Sequence, residues 1–414
     1  MMARLLLIAV LGLAASAQAE PPETEGLLPT DIARSLLEQD PSVAAARAGL
    51  GVARQEAGIL DKSPYEWTAR VWGQRRTLQY GQDGPAYREW NAGVERPLRL
   101  PGKAAADRNI GKAAVEEGEA RYGEALHEAA RELLTLWLDW LYAERGRELA
   151  DTNRQSAQDN LAAVEKRFRA GDASRLDVGL AQAELAEQKR ADNDAKSQAA
   201  AAWARLHSRF PGFSRQFAVL PTPLPLKEGA EFWRERILSQ SDELKIVQAQ
   251  WQRAQAQAER ARAEKTPDPT VGVYTASEIG GRERITGMSI SIPIAGGQRD
   301  LRAAKALHSV EVMRQEVALK KRQLEAEIAS AVVITEGAYE SLQIAEIGAS
   351  AMRDNTALMQ RAYSLGEADL QALLSARRQA TTAAQNALLA RIAALKGYYL
   401  LLVDAHLVWD LEHD

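Results

Sequence analysis

Apolar residues recur at three- and four-residue spacing along two very long stretches of the chain. In the first, Leu126, Ala130, Leu133, Leu134, Trp137 and Leu141 fall on one helical stripe. In the second, Val310, Met313, Val317, Leu324, Ile328 and Val332 do the same. No proline falls between residues 102 and 210 or between 294 and 414, and both stretches are rich in Ala, Leu, Glu, Gln, Arg and Lys. Proline breaks helix interiors and these residue types favour them, so both stretches are predicted helical. A helical period held this long exceeds that of a globular helix and points to coiled-coil-like packing. Each stretch has one interruption, Arg167-Phe168-Arg169-Ala170-Gly171-Asp172-Ala173 and Arg361 to Asp369 around Gly366. A glycine followed by an acid and a small residue ends one helix and starts another. Two helical hairpins are therefore predicted. The first arm, from near Lys103 to Phe168, measures roughly 100 Å at 1.5 Å per residue.

Between the helical zones the period changes to two. Glu66 to Gln74 sets Trp67, Ala69 and Val71 against Thr68 and Arg70. Trp90 to Glu95 sets Trp90, Ala92 and Val94 against Asn91 and Glu95. Val271 to Thr275 is β-rich, and Ile285 to Ile292 sets Met288, Ile290 and Ile292 against Ser289 and Ser291. Turn residues separate the paired segments, in Tyr80 to Pro85 and in Gly280-Gly281-Arg282. Strands of this length with one apolar and one polar face suit either a transmembrane barrel or a small hairpin with one buried face. Four strands cannot close a barrel within one chain, so a barrel needs several chains.

Composition narrows the compartment. Arg4, the apolar run Leu5 to Ala15 and the small-residue pattern Ala17-Gln18-Ala19 read as a secretory signal, residues 1–19, cleaved after Ala19. The run is too short to span a bilayer, which takes about 20 apolar residues. No further run of 18 apolar residues follows, so no helix is expected to cross a membrane. With no cysteine, the chain holds no disulfide and no lipid-bearing thiol, and a formal net charge of −4 argues against nucleic acid as a partner.

The two halves repeat one another. Val94-Glu95-Arg96-Pro97-Leu98 matches Ile290-Ser291-Ile292-Pro293-Ile294, and Leu100-Pro101-Gly102-Lys103 matches Ala295-Gly296-Gly297-Gln298. Phe168 and Gly171 match Tyr363 and Gly366, and Ser63-Pro64 resembles Thr266-Pro267. The second set lies about 195 to 203 residues after the first, the mark of an internal duplication. Residues 20–210 form the first repeat (helix, two strands, helical hairpin), residues 211–230 a Pro-rich linker, and residues 231–414 the second repeat.

This arrangement resembles the TolC-type outer-membrane efflux proteins. The resemblance spans nearly all of the chain after the leader. It is carried by the tips Arg167-Phe168 through Gly171 to Asp177-Val178 and Ala181 to Leu185, and Tyr363 through Gly366 to Leu370, Leu373-Leu374 and Ala376-Arg377, and by the strand-to-helix turns Pro97 to Lys103 and Pro293 to Gln298. It implies a mainly α chain with a small β part: long coiled-coil hairpins plus four strands, three chains forming a 12-stranded transmembrane barrel and a periplasmic tunnel. It implies as partners a periplasmic adaptor protein and an inner-membrane pump, with outer-membrane lipid around the barrel. The adaptor contacts implied are the tips Ala170, Gly171, Asp172, Leu365, Gly366 and Glu367. An acid six residues after the tip glycine is common at the tunnel entrance in that family. Asp177 fits, whereas the second half has Ala372 there, which makes Asp177 the candidate entrance gate. Trp67, Trp90, Met288 and Ile290 are the candidate lipid-facing girdle, with Trp72, Tyr80 and Tyr87 nearby. The segment Pro97-Leu98-Arg99-Leu100-Pro101-Gly102-Lys103 is similar to the heavy-metal, cobalt-zinc-cadmium branch, which makes metal cations the expected cargo ahead of drugs, other small molecules or secreted proteins.

No chemistry is expected of the chain itself. It has no P-loop and no nucleophile elbow, and His127, His207, His308, His406 and His413 are scattered, with no HxxxH or HExxH spacing and no cysteine beside them. No catalytic, cofactor or metal residue is expected, and a gathering of His406, Asp410, Glu412, His413 and Asp414 reads as an ordinary polar tail. A periplasmic adaptor or a coiled-coil scaffold are the competing classes. One hairpin and more β sequence would mark the adaptor.

Overall fold

A computed structural model describes residues 27–77, 85–409 and 411. The leader, Tyr80 in the first inter-strand loop, and the tail residues Asp410, Glu412, His413 and Asp414 lie outside the described residues. The chain runs through α1 (Thr30–Glu38), α2 (Pro41–Asp61), β1 (Thr68–Thr77), β2 (Ala86–Pro97), α3 (Pro101–Ala170) and α4 (Arg175–Arg209). The same order then returns as α5 (Ala230–Gln240), α6 (Asp242–Ala263), β3 (Thr270–Glu278), β4 (Glu283–Ser291), α7 (Gln298–Leu365) and α8 (Leu370–Asp404). Two helices, not one, precede each strand pair. Asp40 starts α2 by accepting the Ser42 N–H at 2.8 Å with Pro41 at the first helical position, and Ser241 starts α6 by accepting the Leu244 N–H at 3.2 Å.

The 70-residue α3 is roughly 105 Å long and changes neighbours along its length. Its first third packs on α2 and α6 through small residues. Gly111 lies so close to α2 that a Cβ there would sit 2.9 Å from Ala57 Cα. Its middle enters the main core, where Leu133, Leu134, Trp137, Leu138 and Leu141 meet Leu37 of α1, Leu206 of α4, Trp233 of α5 and Leu395, Tyr399 and Leu402 of α8. The Pro-rich linker is plastered onto this core: Phe213 is buried, and Phe217, Leu220 and Leu224 pack against it. Its carbonyls are used as well, since Trp137 Nε1 donates to Phe217 O at 3.0 Å. All six periodic residues read in the first stretch are buried. In the second stretch only Leu324, Ile328 and Val332 are, and Val310, Met313 and Val317 are half-exposed.

Among the described residues one helix carries a window apolar enough to cross a membrane by length and composition, although charged residues interrupt it and no run of 18 apolar residues occurs. It is α8, and Leu395, Tyr399, Leu401, Leu402 and Val403 of that helix are buried in the core.

The strands form one antiparallel sheet in the order β1-β2-β3-β4, so β1 and β4 are unpaired edges. Registers such as Val94 to Val273 to Met288, and Val71 to Ala92, align the apolar positions on one face. The strands extend beyond the predicted limits, and Trp67 falls just before β1.

Candidate functional site

The sheet separates two chemistries by strand parity. One face carries Ala69, Val71, Trp90, Ala92, Val94, Val271, Val273, Met288 and Ile290. Most of the larger side chains among them are left bare: Met288 is 86% exposed, Val71 75% and Ile290 69%. The band is bounded by charge. Arg75, Arg88 and Arg284 follow it at the loop end of the same face, and at the helix end Arg96 lies over the Trp67 ring, 5.7 Å from its centroid. All four candidate girdle residues are exposed on or beside this face. Trp72 is not among them. Opposite Asn91, it has the other parity and lies on the polar face.

That polar face is a cross-strand network. Arg70 pairs with Glu95 at 2.5 Å, Gln74 donates to Glu89 at 2.7 Å, and Arg76 reaches both Glu89 at 3.0 Å and Glu278 at 2.9 Å. Tyr274 lies across its neighbours here. A Cβ on Gly287 would meet the Tyr274 ring at 2.7 Å, so a side chain there requires that ring to move.

Where strands become helices, charge is buried. Lys103, 1% exposed, bonds Asp268 at 3.0 Å and Glu264 at 3.5 Å. Asp268 also accepts from the Tyr65 hydroxyl at 2.6 Å and the Leu100 N–H at 3.1 Å. Arg99 donates to Leu60 O and Asp61 O, each at 2.7 Å, and to Asp107 at 3.1 Å, which Arg260 holds from α6 at 2.7 Å. Burial pushes the Asp268 carboxyl up, but the three hydrogen bonds outweigh it and hold it below its ordinary value. The same bond, with burial, lifts the Tyr65 hydroxyl to about 12. Arg99 and Lys103, which the sequence offered as marks of cargo, thus fasten the start of α3 to α2, α6 and the segment that leads into β3.

At the far end the hairpins turn as expected. Gly171 and Gly366 are left-handed, with φ of 86° and 79°. The Asp172 N–H reaches Arg167 O and the Glu367 N–H reaches Ala362 O, each at 2.9 Å. Ala170, Gly171, Asp172, Leu365, Gly366 and Glu367 are all exposed. Beneath them Val164, Ala181, Leu370, Leu373 and Leu374 form a small core, and Arg167 lies over Tyr363 at 4.9 Å, tying one tip to the other. Asp177 is half-buried and engaged. Its Oδ2 accepts from the Ser174 N–H at 2.8 Å and the Ser174 hydroxyl at 2.7 Å, while Ser174 Oγ accepts the Asp177 N–H at 3.1 Å. This is a capping box. In the second hairpin Asp369 stands where Ser174 does and accepts the Ala372 N–H at 2.7 Å. Each hairpin therefore has one carboxylate in its second helix start, at Asp177 or at Asp369. The sequence comparison missed Asp369 because it followed one position, not the capping role.

One turn of α3 also holds a cluster that reading the histidines alone overlooks. Glu124, His127 and Glu128 present ligand-type atoms within 4.8 Å of one another on α3. His127 Nε2 lies 3.1 Å from Asp404 Oδ1 of α8, and the His127 and His406 rings are 5.7 Å apart. Burial pushes the Glu124 carboxyl up to about 7. Burial pulls the His127 imidazole down, but Asp404 and Glu124 overcome it and leave it above its ordinary value.

Residues 32–209 match a family model described as outer membrane efflux protein. No curated protein sequence matches the chain. Among solved structures, the outer-membrane channel OprN superposes with a TM-score of 0.79 at 18% identity, covering 94% of this chain and 92% of that one. The CmeC outer-membrane channel of Campylobacter jejuni gives 0.76 at 14% identity, over 99% and 96%. CusC, described in terms of folding and transmembrane channel formation, gives 0.72 at 16% identity, over 91% of each. The family match lies in the first half of the chain, at residues 32–209, and over nearly its whole length the chain shares the fold of these outer-membrane channels.

Proposed function

We propose that three copies of the chain close a 12-stranded outer-membrane barrel continued by a periplasmic tunnel of helices, a passive duct that takes substrates from an inner-membrane pump through an adaptor. The observation that carries this reading is the sheet: an exposed apolar band between two unpaired edges, with a polar network on its other face. In water that is an aggregation-prone arrangement, and in a closed barrel it is lipid outside and water inside. A second feature supports it. Exposed Leu301, Val312, Leu319, Val333, Ile344, Leu358 and Leu365 follow one another on α7 at steps of 7, 11 or 14 residues, one slowly drifting stripe that the single chain leaves uncovered. A neighbouring copy's helices are its natural cover. The leader at residues 1–19 delivers the chain for export, and the two repeats, 20–210 and 231–414 joined by the linker 211–230, give the trimer its near-sixfold wall.

The exposed tips Ala170 to Asp172 and Leu365 to Glu367 receive the adaptor. For cargo the reading is heavy-metal cations, on the similarity of residues 97–103 to that branch. Purified protein run unheated in detergent, with and without crosslinker, is expected to migrate as a trimer extracted from outer-membrane fractions. A monomer in the soluble periplasmic extract would refute the duct. A deletion strain with unchanged tolerance to zinc, cobalt, cadmium, copper and silver would refute the cargo and leave the duct standing.

A further inference from the structure

A cavity of about 300 Å³ lies against the middle of α3, walled by α6, α7 and the end of α8. Glu124, His127 and Glu128 occupy positions i, i+3 and i+4, so one face of α3 presents all three to it. The spacing from Glu124 to His127 is the Glu-x-x-His pattern by which helical bundles hold metal ions. Three observations go beyond the gathering of these residues. Glu124 Oε2 is buried with no hydrogen-bond partner, and it lies 4.0 Å from His127 Nδ1. His127 Nε2 is taken up by Asp404 at 3.1 Å, and a carboxylate on one ring nitrogen directs the lone pair of the other outward. Asp242, 2% exposed, lines the same cavity from α6. Lys245 takes its Oδ1 at 2.8 Å, while its Oδ2 has no partner. Burying bare carboxylate oxygens is unfavourable unless a cation meets them.

The charges facing the cavity favour a cation. Glu243 on α6 and Glu327 on α7 add to the carboxylates already named. The basic groups at the cavity are already paired with carboxylates: Arg131, in its wall, bonds Asp404 at 2.6 Å, and Lys320 pairs with Glu243. We propose that Glu124, His127 and Glu128 bind a divalent transition-metal ion of the zinc or cobalt class, with Asp404 positioning the imidazole. One nitrogen and two carboxylate oxygens make a borderline donor set, suited to such ions ahead of magnesium or calcium. This site is independent of what the duct transports.

The test uses the full-length protein in detergent, stripped with a chelator and titrated with cobalt(II) followed by visible absorption, and with zinc(II) by calorimetry. One ion per chain is expected, with a cobalt spectrum typical of mixed nitrogen and oxygen ligands. Glu128→Gln, an exposed position whose change leaves the fold intact, should weaken binding at least about tenfold. Asp404→Asn should weaken it by about 10- to 100-fold, the usual effect of losing a partner that orients a ligand histidine. His127→Asn should abolish the nitrogen-ligated spectrum. Unsaturable binding to wild-type protein, or unchanged affinity and spectrum in both Glu128→Gln and His127→Asn, would overturn the site.

Discussion

Replacing Lys103 by methionine isolates the charge buried where strands meet helices. Methionine fills nearly the same volume, so packing is preserved and the ammonium alone is lost. Asp268 is then left buried with only the Tyr65 hydroxyl and the Leu100 N–H. Breaking a buried pair from one side typically costs about 3–5 kcal/mol, because an uncompensated charge remains. The two surviving hydrogen bonds set the expectation at the low end, about 3 kcal/mol. Glu264 moderates it little, because Arg260 and Arg299 continue to hold that carboxylate. The pH dependence follows from the Asp268 carboxyl, held below its ordinary value in the fold. Its contribution is present above the unfolded value of 3.8 and is lost as pH falls through the lower folded value. Without Lys103 the folded value rises, so the acid limb of the stability profile moves to higher pH. Unfolding of detergent-solubilised protein by urea, across pH 3 to 7, measures both effects. Adding Asp268→Asn to the Lys103→Met variant should restore part of the loss, since the amide oxygen still accepts from Tyr65 and Leu100. A single variant within about 0.5 kcal/mol of wild type, the usual range for surface changes, would show that the pair is not uncompensated when broken. A double variant no more stable than the single would show that charge is not the reason.

Asp177→Asn keeps a hydrogen-bond acceptor for Ser174 and removes the charge, so reduced cation selectivity in planar bilayers with an unchanged melting profile is expected. Unaltered selectivity would sink Asp177 as an entrance gate. On the sheet, Met288→Arg should block stable insertion, at about 2–4 kcal/mol near the bilayer midplane, while Asn91→Arg on the opposite face should be tolerated; equal insertion of both would overturn the assignment of faces. Gly171→Val meets no neighbour but forces a branched residue to φ 86°, which costs about 1–3 kcal/mol. Faster amide exchange confined to the first hairpin tip is the expected readout, and unchanged protection there would contradict it.

Much of the site could be read in the sequence where its signal is local. Gly171 and Gly366 announced both turns because a helix that reverses needs a left-handed residue, and glycine adopts that conformation without steric strain. Strand parity announced Met288 and Ile290 as outward. Trp72 shows that parity, not hydrophobicity, sets the face: an indole two positions from Arg70 shares that residue's face whatever its composition. The junction was hidden for another reason. Lys103, Asp268 and Tyr65 are far apart in the chain, and a buried lysine looks in sequence like any lysine on a polar helix.

The amino-acid sequence by itself determined the rods, their turns, the four strands and their two faces, because helix period, proline exclusion and alternation act between residues a few positions apart. It left open what those elements meet. The tertiary structure decided that the linker is held on the core by Phe213 and Phe217. It decided that Arg99 and Lys103 fasten the start of α3 to α2 and to the segment that leads into β3. It also brought Glu124, His127 and Glu128 into a common cavity with Asp242 and Asp404. Those outcomes depend on pairs separated by up to hundreds of residues, and such pairs acquire an energy only when the chain's long hairpins fold back and bury them together.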